Sequence, residues 1–169
     1  MKSIYSIVVA VAIACTPISL AAFQDNANYD RLERAAALIR QGQLARAEAE
    51  LQAVLRKASR EANALNLLGV IRAQQQRRVE AEQLFLRALS GSPTLVGAYL
   101  NLGQLYLDQH KPERSLWAYA EASKLAPDRA DINYNIAAIY EERREFQRSL
   151  DLLGKMNAQF AFEFVEIRP

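Results

Sequence analysis

A step of 34 residues recurs along this chain, and it constrains the fold more than any other feature. Gly69 and Gly103 are one step apart, and so are Pro93 and Pro127. Leu68, Leu102 and Ile136 keep the same spacing, as do Ala47, Ala81, Ser115 and Ser149. Small residues and prolines in phase at a fixed period mark a stacked-repeat array. Such arrays present surfaces to partners more often than they catalyse.

Four repeats fit the chain: 28–61, 62–95, 96–129 and 130–163. The third has Tyr99, Leu102, Gly103, Tyr106, Ser115, Tyr119, Ala122 and Pro127 in phase. The second has Leu65, Leu68, Gly69, Ala81, Phe85, Ala88 and Pro93, with Arg72 where the third has Tyr106. This pattern resembles the tetratricopeptide repeat, W-x2-L-G-x2-Y followed by a small residue, an aromatic, an Ala and a Pro. The resemblance covers about residues 28–161. The fourth repeat keeps Ile136, Ala137, Tyr140 and Ser149 but departs at Asn133, Met156 and Ala161. The first keeps Ala35, Leu38, Ala47, Leu51 and Val54 but carries Arg31 and Arg34 at apolar positions. Atypical end repeats are expected where one side faces solvent.

Each repeat reads as two amphipathic helices, since in 96–108 the apolar residues recur at steps of three and four. Gly103 falls mid-helix, where Gly costs about 1 kcal/mol against Ala. Close approach of the partner helix is the expected compensation, with Ala88 and Ala122 as the facing small residues. Pro112 suits the first turn of a second helix. Pro127 suits the stop after it, and Gln41-Gly42-Gln43 is the corresponding interhelix turn of the first repeat. The expected fold class is all-α, an array of about four antiparallel helix pairs. The right-handed superhelix with a concave inner face is what the family resemblance implies.

Residues 1–22 are unlike the rest. Lys2 is followed by an apolar run from Ile4 to Ala14, then Pro17 and Ser19-Leu20-Ala21. This reads as a secretory signal peptide cleaved after Ala21 or Ala22, with 23–27 a short linker. The apolar run falls short of the 20 or so residues that a membrane span needs. Ala12-Ile13-Ala14-Cys15 also resembles a bacterial lipobox, which would make Cys15 a lipidated first residue. A retained N-terminal anchor is a third reading. All three place the array outside the cytoplasm, periplasmic, secreted or lipid-anchored to a bacterial envelope. Cys15 is the chain's one cysteine, so no internal disulfide framework is possible.

Formal net charge is +2, and loss of Lys2 with a leader leaves 2 − 1 = +1. A nucleic-acid partner would want Lys and Arg clustered on one face. The pairs Arg77-Arg78 and Arg143-Arg144 instead fall near interhelix turns. His110, the single histidine, has no Cys, second His or acidic cluster at metal-ligand spacing. It reads as a surface turn residue. No P-loop, nucleophile elbow or glycine-rich phosphate loop is present. The chain is therefore read as neither an enzyme nor a cofactor or metal binder.

Asn101 and Asn135 share one position in their repeats, and Asn66 lies one place earlier in its own. In arrays resembling those of O-linked N-acetylglucosamine transferases, in-phase asparagines line the groove and hold peptide backbone. A side-chain amide donates and accepts at once. Helix packing or solvation of the asparagines is the competing reading. The other first-helix positions expected to face the groove are Asn63, Val70, Gln74, Leu100, Gln104, Asp108, Tyr134, Ala138 and Glu141. Matching to the acidic-tail clamp of co-chaperone arrays gives Asn66, Val70, Asn101, Asp131 and Asn135; only Asn101 fits, so that clamp is rejected.

The chain ends with Phe160, Phe162 and Phe164 in alternation. Two readings stand: a tail folded over the last repeat, or an open end that pairs with a partner or a second copy. The functional reading is an exported protein-interaction scaffold binding a peptide segment or partner protein on a concave face. The alternatives are a lipoprotein assembly factor resembling the pilus pilotins, and a non-catalytic accessory part of an envelope enzyme.

Overall fold

The structure, a computed structural model, describes residues 17–145, 147–149 and 151–152, with side chains from residue 27 onward. Cys15, Met156, Ala161 and the Phe160, Phe162 and Phe164 tail lie outside the described residues. Seven helices are delimited among the described residues: α1 (Pro17–Arg40), α2 (Leu44–Lys57), α3 (Ala62–Gln74), α4 (Arg78–Gly91), α5 (Val96–Leu107), α6 (Pro112–Leu125) and α7 (Ala130–Glu142). Residues 147–149 and 151–152 are also helical, and no strand occurs among the described residues. The all-α array of antiparallel helix pairs expected from the period is what forms. Residues 23–27, read as a linker, lie within α1.

The chain divides into two compact units, one ending at Ser59 and one starting at Arg60. In the first, α1 packs on α2 over Ala35, Ile39, Ala47, Leu51 and Val54. Arg31 and Arg34, the two charges at apolar positions, both reach Glu50 on α2, at 2.6 and 3.6 Å. In the second unit α3 pairs with α4 and α5 with α6, while α4 packs on α5 and α6 on α7. Its core repeats with the sequence: Leu65, Ile71 and Phe85, then Leu102, Leu105 and Tyr119, then Ile132, Ile136 and Ile139.

Four turns of one kind join the helices within each pair. Gly42, Gln76, His110 and Arg144 all have positive φ, between 56° and 72°, and stand one period apart. In the second turn the Gln76 N–H donates to the Ala73 carbonyl and Arg77 N–H to the Arg72 carbonyl. His110 to Leu107 and Lys111 to Tyr106 repeat this, as do Arg144 to Glu141 and Glu145 to Tyr140. This is the Schellman cap, whose C′ residue is left-handed. Only the first repeat uses glycine there. Pro112 starts α6, where no intrahelical bond is lost, and α6 ends at Leu125, before Pro127.

The glycines show what the close approach is. A Cβ on Gly69 would lie 2.5 Å from the Phe85 ring, and one on Gly103 would lie 2.7 Å from the Tyr119 ring. Ala88 and Ala122 are fully buried, but the groups nearest the glycines are these two rings. In each pair an aromatic ring on the second helix approaches the first so closely that it needs the space of a missing Cβ. The first repeat has Ala35 and Leu51 at these positions, both fully buried. The fourth has Ala137 with Leu153 in phase in the sequence. Glycine thus accompanies the aromatic ring, and alanine accompanies leucine.

Candidate functional site

Three first helices of the second unit present stripes set by helical spacing. On α3 the stripe is Asn63, Asn66, Val70 and Gln74; on α5 it is Gly97, Asn101, Gln104 and Asp108; on α7 it is Asp131, Tyr134, Ala138 and Glu141. Steps of three and four place each set on one helix face. All are exposed or half-buried, as is Leu100. Their opposite faces carry the core residues Leu65, Leu102 and Ile136. Each of the expected groove positions is therefore accessible, on the side of its helix away from these core residues.

Among the asparagines the contact differs from the in-phase expectation. Asn101 Nδ2 donates to Asn66 Oδ1 at 2.9 Å, across 35 residues rather than one period. Asn66 Nδ2 also lies 3.6 Å from where a Cβ on Gly97 would stand, an ordinary contact distance, so Gly97 adjoins the pair. Among the described residues no hydrogen bond joins Asn101 to Asn135, which is half-buried on α7. The pair leaves the Asn66 amide donors and the Asn101 carbonyl outside their mutual bond. One donor and one acceptor side by side match the alternation of a peptide backbone.

The rest of the site is simpler. Gln104 Nε2 donates to Asp108 Oδ1 at 2.9 Å, one turn along α5. Asn63 Nδ2 donates to Glu61 Oε1 at 3.2 Å, and Glu61 accepts the Ala64 N–H to cap α3. Asn63 thus also takes part in the helix start. Gln74 is exposed near the C-terminal end of α3. Tyr134 is 60% exposed, the most open aromatic among the described residues of the second unit. His110 is exposed in its left-handed turn, and no group of His, Cys, Asp and Glu suited to a metal occurs among the described residues.

Two departures from the repeat pattern, Arg72 and Asn133, have partners that the pattern itself does not show. The Arg72 side chain is only 12% exposed and extends to Glu80 on α4, 3.6 Å away, its apolar stem substituting for an aromatic body. Asn133 accepts a hydrogen bond from the Ser123 hydroxyl on α6. Tyr106 donates its hydroxyl to Glu82 of the preceding repeat at 2.8 Å, beneath the Arg114 guanidinium. Burial, then the Glu82 hydrogen bond, pushes Tyr106 up to about 12; burial and the Asp108 charge push Tyr119 up to about 12. These are packing contacts between helices; of the stripe side chains, Asp108 acts on them, through its charge near Tyr119.

The tetratricopeptide repeat model matches residues 32–95 and 100–156. The chain is 40% identical over 81 residues to the mouse protein O-mannosyl-transferase TMTC3, and 36% identical over 99 residues to the human one. These matches cover 48% and 54% of the chain but only 9% and 11% of those relatives, so the chain spans about a tenth of their length. Among solved structures, one of MamA superposes with a TM-score of 0.70 at 17% identity, covering 80% of each chain. MamA from Desulfovibrio magneticus gives 0.65 at 17% identity, covering 78% of this chain and 74% of that one. An O-GlcNAc transferase mutant from Thermobaculum terrenum gives 0.64 at 23% identity, over 69% of this chain and 22% of that one. At such identities the structures speak for the fold alone. The period, the glycine–aromatic pairs and the family model agree: the chain belongs to the tetratricopeptide repeat family.

Proposed function

We propose that this chain is an exported, non-catalytic scaffold that binds an extended segment of a partner protein on the first-helix face of α3, α5 and α7. Membership of a family of protein-interaction scaffolds supports the coarse reading. The Asn66–Asn101 amide pair on an outward-facing stripe carries the finer one. An extended chain laid across it would exchange one N–H and one C=O with the pair, whatever its side chains. Changing both asparagines to Ala removes both partners of their mutual bond, so stability should move little. Affinity for an identified partner should fall by about 1–3 kcal/mol, the worth of two neutral hydrogen bonds. Unchanged affinity with the fold intact would move the site off this face.

Export rests on Lys2, the apolar run and Ser19-Leu20-Ala21. No helix among the described residues is long and apolar enough to cross a membrane. A mature protein beginning at Ala22 or Phe23, found by mass spectrometry, is the outcome of the signal-peptide reading. Diacylglyceryl on Cys15 would make the chain a lipoprotein, and retained Met1 in a cytoplasmic fraction would end the export reading. The match to two O-mannosyl-transferases favours one alternative, an accessory part of an envelope glycosyl-transferring enzyme.

A further inference from the structure

The stripe face is uneven in charge. Helix α5 has no charged residue at all within Val96–Leu107, and Asp108 caps its end. Helix α7 carries only acids: Asp131, Glu141 and Glu142. Apart from Arg72, whose head turns to Glu80 on α4, no cation lies on α3. The face therefore runs from neutral on α3 to anionic on α5 and α7, against a chain whose formal net charge is +2.

Each of three acids on the face has a hydrogen-bond donor beside it. Gln104 donates to Asp108 and the Ser149 hydroxyl donates to Glu141. Arg129 bonds Asp131 and holds its carboxyl below the usual carboxylate range, which spends the Asp131 charge locally. Asp108 and Glu141 form no ion pair among the described residues. Among the turn cations, Arg143 is engaged by Glu113 and Glu145, while Arg144 stands in the turn beyond Glu142. On α7, two turns before Glu141, the face offers Tyr134, an open ring of the type that attracts Lys or Arg over its surface.

We infer that the segment bound on this face is cationic, an extended peptide whose Lys or Arg side chains lie toward Asp108, Tyr134 and Glu141 while its backbone crosses the Asn66–Asn101 pair. This rests on the groove reading above and adds the partner's chemistry to it. Anionic and neutral segments fit the amide pair equally well; only a basic one uses the far half of the face. General electrostatics cannot produce the preference, because a net positive chain repels a polycation at long range.

The test uses the full chain and three labelled peptides of equal length, alternating Ser-Lys, Ser-Asn and Ser-Glu, read by fluorescence anisotropy. The Ser-Lys probe should bind tightest and weaken with added salt. Asp108→Asn with Glu141→Gln, which keep the local hydrogen-bond acceptors, should weaken it by roughly two- to thirtyfold, the range for two exposed ion pairs. Glu121→Gln, whose partner Lys124 lies on the same helix α6, should leave it unchanged. Asn66→Ala with Asn101→Ala should weaken all three probes. A Ser-Lys probe indifferent to the carboxylate changes, or a Ser-Glu probe that binds as well, overturns the cationic partner. If the Ser-Asn probe still depends on the asparagines in that case, the groove itself survives. If no probe responds to either double variant, both readings fail.

Discussion

Gly103→Ala tests the packing logic on which the array depends. Alanine in mid-helix gains about 1 kcal/mol over glycine. Its Cβ would stand 2.7 Å from two atoms of the Tyr119 ring, where ordinary contact begins at 3.4 Å. The ring would have to retreat by 3.4 − 2.7 = 0.7 Å, yet it is only 1% exposed and enclosed by the core. Overpacking of a tight core costs about 1–3 kcal/mol, and two close contacts on an immobile ring place this case in the upper part. The net effect is a destabilisation of about 1–2 kcal/mol, with a fall in Tm of roughly 3–10 °C. In a Tyr119→Leu background the clash disappears, leaving the helix gain of about 1 kcal/mol. The first repeat already uses that combination, Ala35 with Leu51. Urea titrations followed by helical circular dichroism on the four corners of the cycle should thus give a coupling of about 2–3 kcal/mol. A Gly103→Ala variant as stable as the parent, or equal effects in both backgrounds, would refute the account.

Other outcomes follow from the same structure. His110→Gly relieves a left-handed residue with φ 56° and should stabilise the chain by roughly 0.5–1 kcal/mol in urea titration, net of the added freedom of the unfolded chain. Gly42→Ala meets no side-chain obstacle, so its cost of about 1 kcal/mol should be backbone strain alone. Tyr106 and Tyr119, raised to about 12, should ionise late in an ultraviolet titration. Their folded-state values lie above the unfolded one, so their stabilisation is complete below about pH 10 and lost as pH rises toward about 12; denaturation midpoints that stay constant across that alkaline range would contradict it.

The period makes the fold legible because each repeat restates it. Pro112, Gly42 and the glycine pair each point to their local structure, since proline and glycine act through backbone geometry. The contact over the glycines is harder to read, because a one-dimensional pattern shows which positions are small, not what fills the space. Phe85 and Tyr119 are in the motif, and the leucine–alanine exchange at Leu51 and Ala35 is the signal that matches them to Gly69 and Gly103. The left-handed turn is half hidden, since Gln76, His110 and Arg144 occupy a position that only Gly42 announces. The Asn66–Asn101 bond escapes the period for a geometric reason. The side chain that meets Asn101 across neighbouring first helices belongs to the residue 35 before it, one more than the period. Glu82, Tyr106 and Arg114 come from three helices, and their spacing gives no signal of the contact.

The central claim is that the first-helix face of the second unit carries the partner. A photo-crosslinking residue placed at Gln104 and, separately, at Ala120 on the exposed side of α6 tests it most directly. The account predicts a partner adduct from position 104 that disappears when Asn66 and Asn101 are both changed to Ala, and none from position 120. Adducts from position 120 alone, or adducts from 104 that persist in the double asparagine variant, would contradict it.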